Sequence, residues 1–135
     1  MDVSIWYFPG MEIDLTRFSL AQRKAFLDLI ILAMYADGHL SLVEEEHLQK
    51  LLVAMGINDE IDQAREIDGA VTRIRPSIQS IYKAKERALR LADAFTTRPQ
   101  QVKVYAAVEE LMTSDNNVSS WENTLLMELR LKFRL

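Results

Sequence analysis

The stretch Tyr35–His47, YADGHLSLVEEEH, decides the fold, because it reads as a corner between two helices and returns in altered form at 113–125 as TSDNNVSSWENTL. Asp37 closes a helix-like run, where the negative end of the helix dipole disfavours a carboxylate by about 0.3–1 kcal/mol. Ser41 and Glu44 then form a capping box for the following helix, as Ser119 and Glu122 do in the second corner. A constant offset aligns Asp37 with Asp115, Leu40 with Val118, Ser41 with Ser119 and Glu44 with Glu122, and beyond the corners Leu48 and Leu51 with Leu126 and Leu129. The match is imperfect. Gly38 becomes Asn116, which still tolerates a left-handed backbone, and His39 becomes Asn117.

Working outward, apolar spacing and caps place six helices. The first runs from about Leu20 to Ala36, capped by Ser19 with Gln22, and turns Phe26, Leu27, Ile30, Ile31 and Met34 inward. The second ends near Gly56, a suitable left-handed terminator. The third follows Asn58, contains Gly69 and stops near Pro76. The fourth spans about Ser77 to Phe95, with Ile78, Ile81, Leu89, Ala92 and Phe95 as its core stripe. Thr97 and Pro99 open the fifth, whose Val102, Ala106 and Leu111 are expected inside, and the sixth follows Ser119. No strand pattern competes with this reading. The expected fold is all-α: one domain over residues 1–135, a compact bundle of about six helices with two pseudo-repeated hairpins joined by a central helix pair, preceded by an arm over residues 1–18.

Composition narrows the function classes. The chain has 135 residues, ordinary for one domain, 49% of them hydrophobic and 27% charged. Its net charge of -4 gives no general attraction to nucleic acid. The absence of cysteine removes disulfides, thiolate metal sites and cysteine nucleophiles, and fits the cytoplasm. The apolar start MDVSIWYFPGMEI is too short to span a bilayer and lacks the basic opening of a signal peptide. The run AFLDLIILAMYA is also too short and is interrupted by Asp28. Between Arg65 and Arg90, seven bases face three acids, a local +4 that leaves -8 elsewhere. On the fourth helix Lys83, Arg87 and Arg90 share a face that suits an acidic protein partner or peripheral contact with anionic lipid.

The corners carry the chemistry worth weighing. Asp37, Gly38, Leu40 and Glu44 are spaced like the back half of an EF-hand loop, whose acid is followed seven residues on by a bidentate Glu. The front half of that loop fails, since its ligand positions fall on Ala33 and Tyr35 in one corner and on Leu111 and Thr113 in the other. Asp37, Glu44 and Glu45, and more weakly Asp115 and Glu122, are therefore candidate ligands for Ca²⁺ or Mg²⁺, with Glu109 or Glu110 available to complete an oxygen shell. Glu44 and His47 also form a Glu-x-x-His pair beside His39, which supports an alternative reading as a metal-dependent enzyme. Leu125 stands where a second such motif would need its His. No Gly-rich phosphate loop or nucleophile elbow is present.

The segment YADGHLSLVEEEHLQKLL resembles the Asp-Gly, aliphatic, Ser, then Glu signature of the TerB-like family, which is associated with tellurite resistance and bacterial stress responses. The resemblance implies an all-helical, internally duplicated fold. It also implies acidic residues that bind a divalent metal and a non-enzymatic role in protein interaction. The second corner, SDNN, departs from the signature.

Overall fold

Helix α1 (Leu20–Met34) begins where its capping box sits: the Ser19 amide donates to Gln22 Oε1 at 2.9 Å, and the Gln22 amide donates to Ser19 Oγ at 3.1 Å. These reciprocal bonds satisfy two of the amides a helix start leaves open. From there the computed structural model, which describes residues 5–8, 11–35, 42–113 and 120–135, builds the expected six helices. They are α1, α2 (Leu42–Ala54), α3 (Glu60–Ile74), α4 (Ile81–Ala92), α5 (Arg98–Thr113) and α6 (Ser120–Phe133), with a 3₁₀ turn over Arg75–Gln79. Pro76 lies in that turn, where its missing amide hydrogen and fixed φ stop α3. The class is all-α, and no helix among the described residues is long and apolar enough to cross a membrane.

Helix α1 is the centre. Phe26 through Met34 are all buried, as an all-round apolar helix must be, and α3, α4 and α5 pack around it. The inward residues expected on α1 are all in the core. Of those expected on α4 and α5, Ala92, Phe95 and Leu111 are buried, and the others need correcting. Ile78, Ile81 and Leu89 are only half-buried, and the buried face of α4 is Ala84, Ala88 and Ala92. Alanines four residues apart form one smooth stripe that lets α1 and α6 approach closely. On α5, Val102 is 45% exposed and Ala106 half-buried, while Val104, Ala107, Val108, Leu111 and Met112 face inward. Phe18 and Phe95 seal one end, with ring centroids 5.4 Å apart.

The arm also departs from expectation. Ile5–Phe8 (β1) and Met11–Asp14 (β2) pair antiparallel, with Phe8 opposite Met11, and α2 packs against β1. The physical reason is local: Ile, Trp, Tyr and Phe favour extended backbone, and the Pro9-Gly10 pair between them is a turn signal.

Local structure recurs at the spacing read from the corners. Ser19 and Thr97 both accept a bond from a Gln amide three residues on, Gln22 and Gln100, and these two glutamines, 78 residues apart, meet at 3.2 Å. Helix α2 ends with Gly56 at φ 89, the Ile57 amide donating to Leu52 O at 2.9 Å and the Gly56 amide to Val53 O at 2.9 Å. Helix α6 ends in the same bonds at the same offset, with Arg134 at φ 57, Leu135 to Arg130 O at 3.0 Å and Arg134 to Leu131 O at 3.2 Å. Both stops are Schellman motifs. The corners themselves, Asp37–Ser41 and 115–119, lie outside the described residues.

Candidate functional site: a basic-rimmed groove beside a buried carboxylate

Asp28, the acid that interrupts the apolar run of α1, is 3% exposed. It is held by Arg73 of α3, whose Nε lies 2.9 Å from Oδ2 and whose Nη2 lies 2.7 Å from Oδ1. This two-bonded geometry is the strongest available to an Arg and carboxylate. The bonds to Asp28 raise the Arg73 pKa, with the Asp28 and Glu66 charges adding to them and burial working against them. Arg87 of α4 approaches the same carboxylate at 3.9 Å, and its Nε is buried without a hydrogen-bond partner. Two guanidiniums therefore share one carboxylate, an arrangement that fixes α3 and α4 against α1.

Beside this centre, a groove of about 530 Å³ runs between the first half of α1, the end of α2 and α3. Its apolar lining is Leu27, Met55, Ile57 and Leu20, and its rim carries Arg23, Lys24, Arg65 and Arg73 against one acid, Glu66. Arg23 is anchored through Nε to Leu15 O at 3.0 Å, and Arg65 lies 4.0 Å from Asp62 at the surface. A surface pair of that length contributes little, so Arg65 is available to another anion. Leu20 is 83% exposed, which extends the apolar surface out of the groove.

Most of the basic stretch read from the sequence is already engaged. Arg73 and Arg87 face Asp28, Lys85 lies 3.3 Å from Glu128, Arg90 lies 3.4 Å from Glu86, and Lys83 reaches Gln79. The shared face of Lys83, Arg87 and Arg90 is thus divided, since Arg87 turns inward.

Among the expected metal ligands, Asp37 and Asp115 lie outside the described residues. So do the side chains of Glu44, Glu45 and His47, although α2 carries all three. Glu122 sits in the first turn of α6, where the dipole favours a carboxylate, and is 7% exposed. Glu109 accepts from the Tyr105 hydroxyl at 3.2 Å, and burial together with the Glu109 charge raises the Tyr105 pKa. Among the described residues, no group of three or more His, Asp or Glu side chains is placed to hold a metal ion.

Sequence reasoning marks Asp28 only as an interruption and misses its partners. The available signal is an acid in an apolar helix that needs a base, with the surplus of bases all within Arg65–Arg90. Compared with known proteins, the chain matches no family model, no curated protein and no solved structure.

Proposed function

We propose that the protein is a non-enzymatic interaction module, the role its TerB-like resemblance implies, and that the groove between α1, α2 and α3 is its docking surface for an acidic protein segment. One observation carries this reading: an apolar floor is edged by Arg23, Lys24 and Arg65 against one acid, Glu66, with the fourth base, Arg73, already held by Asp28, in a chain whose net charge is -4. The occupant that fits is an apolar side chain flanked by carboxylates. Met55 on the floor is unbranched and adaptable, which suits a surface that must close around a side chain. A bilayer is the poorer fit, because a membrane surface does not enter a concavity. The corner carboxylates Asp37, Glu44, Glu45, Asp115 and Glu122 keep the separate proposed role of holding Ca²⁺ or Mg²⁺ weakly, and stress response in a bacterial cytoplasm is the setting the resemblance implies.

The test is an NMR titration of labelled protein with a synthetic peptide carrying one Leu between glutamates. Resonances of Leu27, Met55, Ile57 and Arg65 should move, and reversing Lys24 and Arg65 to Glu should weaken binding about tenfold or more, with a further loss in high salt. Perturbations centred elsewhere, or an affinity indifferent to the reversal, would remove the groove from consideration.

A further inference from the structure

The chain itself carries a segment of the kind the groove fits. At the start of α3, Ile61 is 68% exposed and stands among the exposed acids Asp59, Glu60 and Asp62. Asp59 caps the helix, its Oδ2 accepting from the Asp62 amide at 3.2 Å, so this turn is held rigidly with Ile61 outward. Ile61 leaves most of its apolar side chain in water, surface that a partner would bury.

Its position relative to the groove is fixed by helix spacing. Arg65, on the groove rim, is one turn beyond Ile61 on α3, and Glu66, also on the rim, is one turn beyond Asp62. Residues four apart lie on one helical face. Ile57, on the floor, precedes the Asp59 cap by two residues. An acidic apolar knob and a basic apolar groove therefore lie side by side on one face. A surface holding two complementary halves next to each other is self-complementary, which is what a twofold interface between identical chains requires.

We infer that the occupant of the groove is the Asp59–Asp62 turn of a second copy of this chain, so that two copies pair isologously. Each Ile61 then enters the partner copy's groove, and Asp59, Glu60 and Asp62 meet Lys24, Arg23 and Arg65. The inference rests on the groove reading above and specifies its partner. The contact is small, so the dimer is a weak one, and it is sensitive to salt.

The experiment is sedimentation equilibrium on the full chain and two variants, with thermal melts to show that each variant folds. Ile61→Lys replaces the knob with a like charge for the basic rim. Lys24→Glu with Arg65→Glu makes the groove repel the acidic knob. Each variant alone should be monomeric, with its self-association weakened at least tenfold. Mixed, they should associate better than either alone, because the intact knob of the groove variant meets the intact groove of the Ile61→Lys variant, while the reverse contact still sets Asp59, Glu60 and Asp62 against an acidic groove. A wild-type chain that stays monomeric at several hundred micromolar overturns the inference, and so does a mixture that associates no better than its components. A peptide of residues 58–68, titrated onto the Ile61→Lys variant, separates the two failures. Capture of that peptide by a chain whose wild type stays monomeric removes the dimer and leaves the groove as a docking surface. No capture removes both.

Discussion

Helices α1 and α2 on one side and α5 and α6 on the other share their bounds but differ in what fills them. Shifted by the spacing of Gln22 and Gln100, α1 falls on α5 and α2 on α6, to within one residue at each end. Leu20 then corresponds to Arg98, Asp28 to Ala106, Met55 to Phe133 and Ile57 to Leu135. In the second half, Phe133 is buried at 3%, and Arg98 donates across it to Phe133 O at 2.6 Å and Arg134 O at 3.2 Å. In the first half, a half-buried Met55 and an exposed Leu20 leave the equivalent place open. Two helix ends with the same stop bonds differ, one covered by Arg98 and Phe133 and the other left open beside Leu20 and Met55. The open one adjoins the buried charge, and that asymmetry is the strongest argument that the groove is used.

The largest expected effect lies at the charged centre. Asp28→Ala leaves two guanidiniums without their carboxylate and should cost about 3 kcal/mol in urea unfolding. Arg87→Met removes a donor whose Nε has no partner, and should change stability by less than about 1 kcal/mol. Ala106→Ser, at the equivalent place in α5, should stay within about 0.5 kcal/mol, because that position is half-buried and carries no charge network. If Asp28→Ala were as mild, the two halves would not differ in the way proposed.

Next in size is the closure of the second half. Arg98→Ala removes two charged hydrogen bonds, to the carbonyls of Phe133 at the end of α6 and of Arg134 just beyond it, and should cost about 1–2 kcal/mol. Leu20→Ala, its counterpart on the open groove, should be within about 0.5 kcal/mol of neutral, since Leu20 is mostly in solvent. Leu20→Ala should nonetheless weaken docking, so stability and binding separate at one pair of equivalent positions.

The helix stops sharpen the comparison further, because the hydrogen bonds are the same and only the residue differs. Gly56 has φ 89 and no atom within 4 Å of where a Cβ would lie, so Gly56→Ala costs only backbone strain, about 1 kcal/mol. Arg134 adopts φ 57 with a side chain, and Arg134→Gly should stabilise by up to about 1 kcal/mol. Opposite signs at equivalent positions in thermal melts would support a repeat at the level of the stops. Equal signs would separate the two ends.

How much of this the residues disclose depends on how local the cause is. Ser19 with Gln22 and Gly56 are read directly, since a cap or a left-handed terminator is decided within a few residues. The stripes of α4 and α5 keep Phe95 and Leu111 inside but turn Ile81, Leu89 and Val102 away from the place their size predicts. On α4 the close approach of two helices selects Ala84, Ala88 and Ala92, and that selection is a tertiary fact. The hairpin of the arm is hidden by its brevity. The bond between Asp28 and Arg73 spans 45 residues, and the groove is made by three helices at once, so neither has a local signature.

The last comparison returns to the corner carboxylates, where the substitution alone is expected to cost least and the effect comes from added cation. Asp37 lies outside the described residues, and the sequence places it just past α1, where the dipole disfavours a negative charge and an amide bond or a cation would compensate it. The two compensations behave differently. If the carboxylate only caps the turn, Asp37→Asn retains an accepting oxygen, stability changes little, and added Ca²⁺ has no effect. If Asp37, Glu44 and Glu45 hold a cation, Ca²⁺ at about ten times its dissociation constant stabilises the native chain by about 1.4 kcal/mol through mass action, a rise in melting temperature of about 5 °C. Asp37→Asn should abolish that rise. Asp115→Asn should reduce it only slightly, because the second corner keeps Glu122 but has Asn123 where the first has Glu45. Mg²⁺ should act more weakly than Ca²⁺, since it demands near-octahedral geometry and gives up water reluctantly. Melting curves that coincide with and without about 10 mM of either ion would leave the cap as the whole role of Asp37, and the groove as the feature that distinguishes the first half from the second.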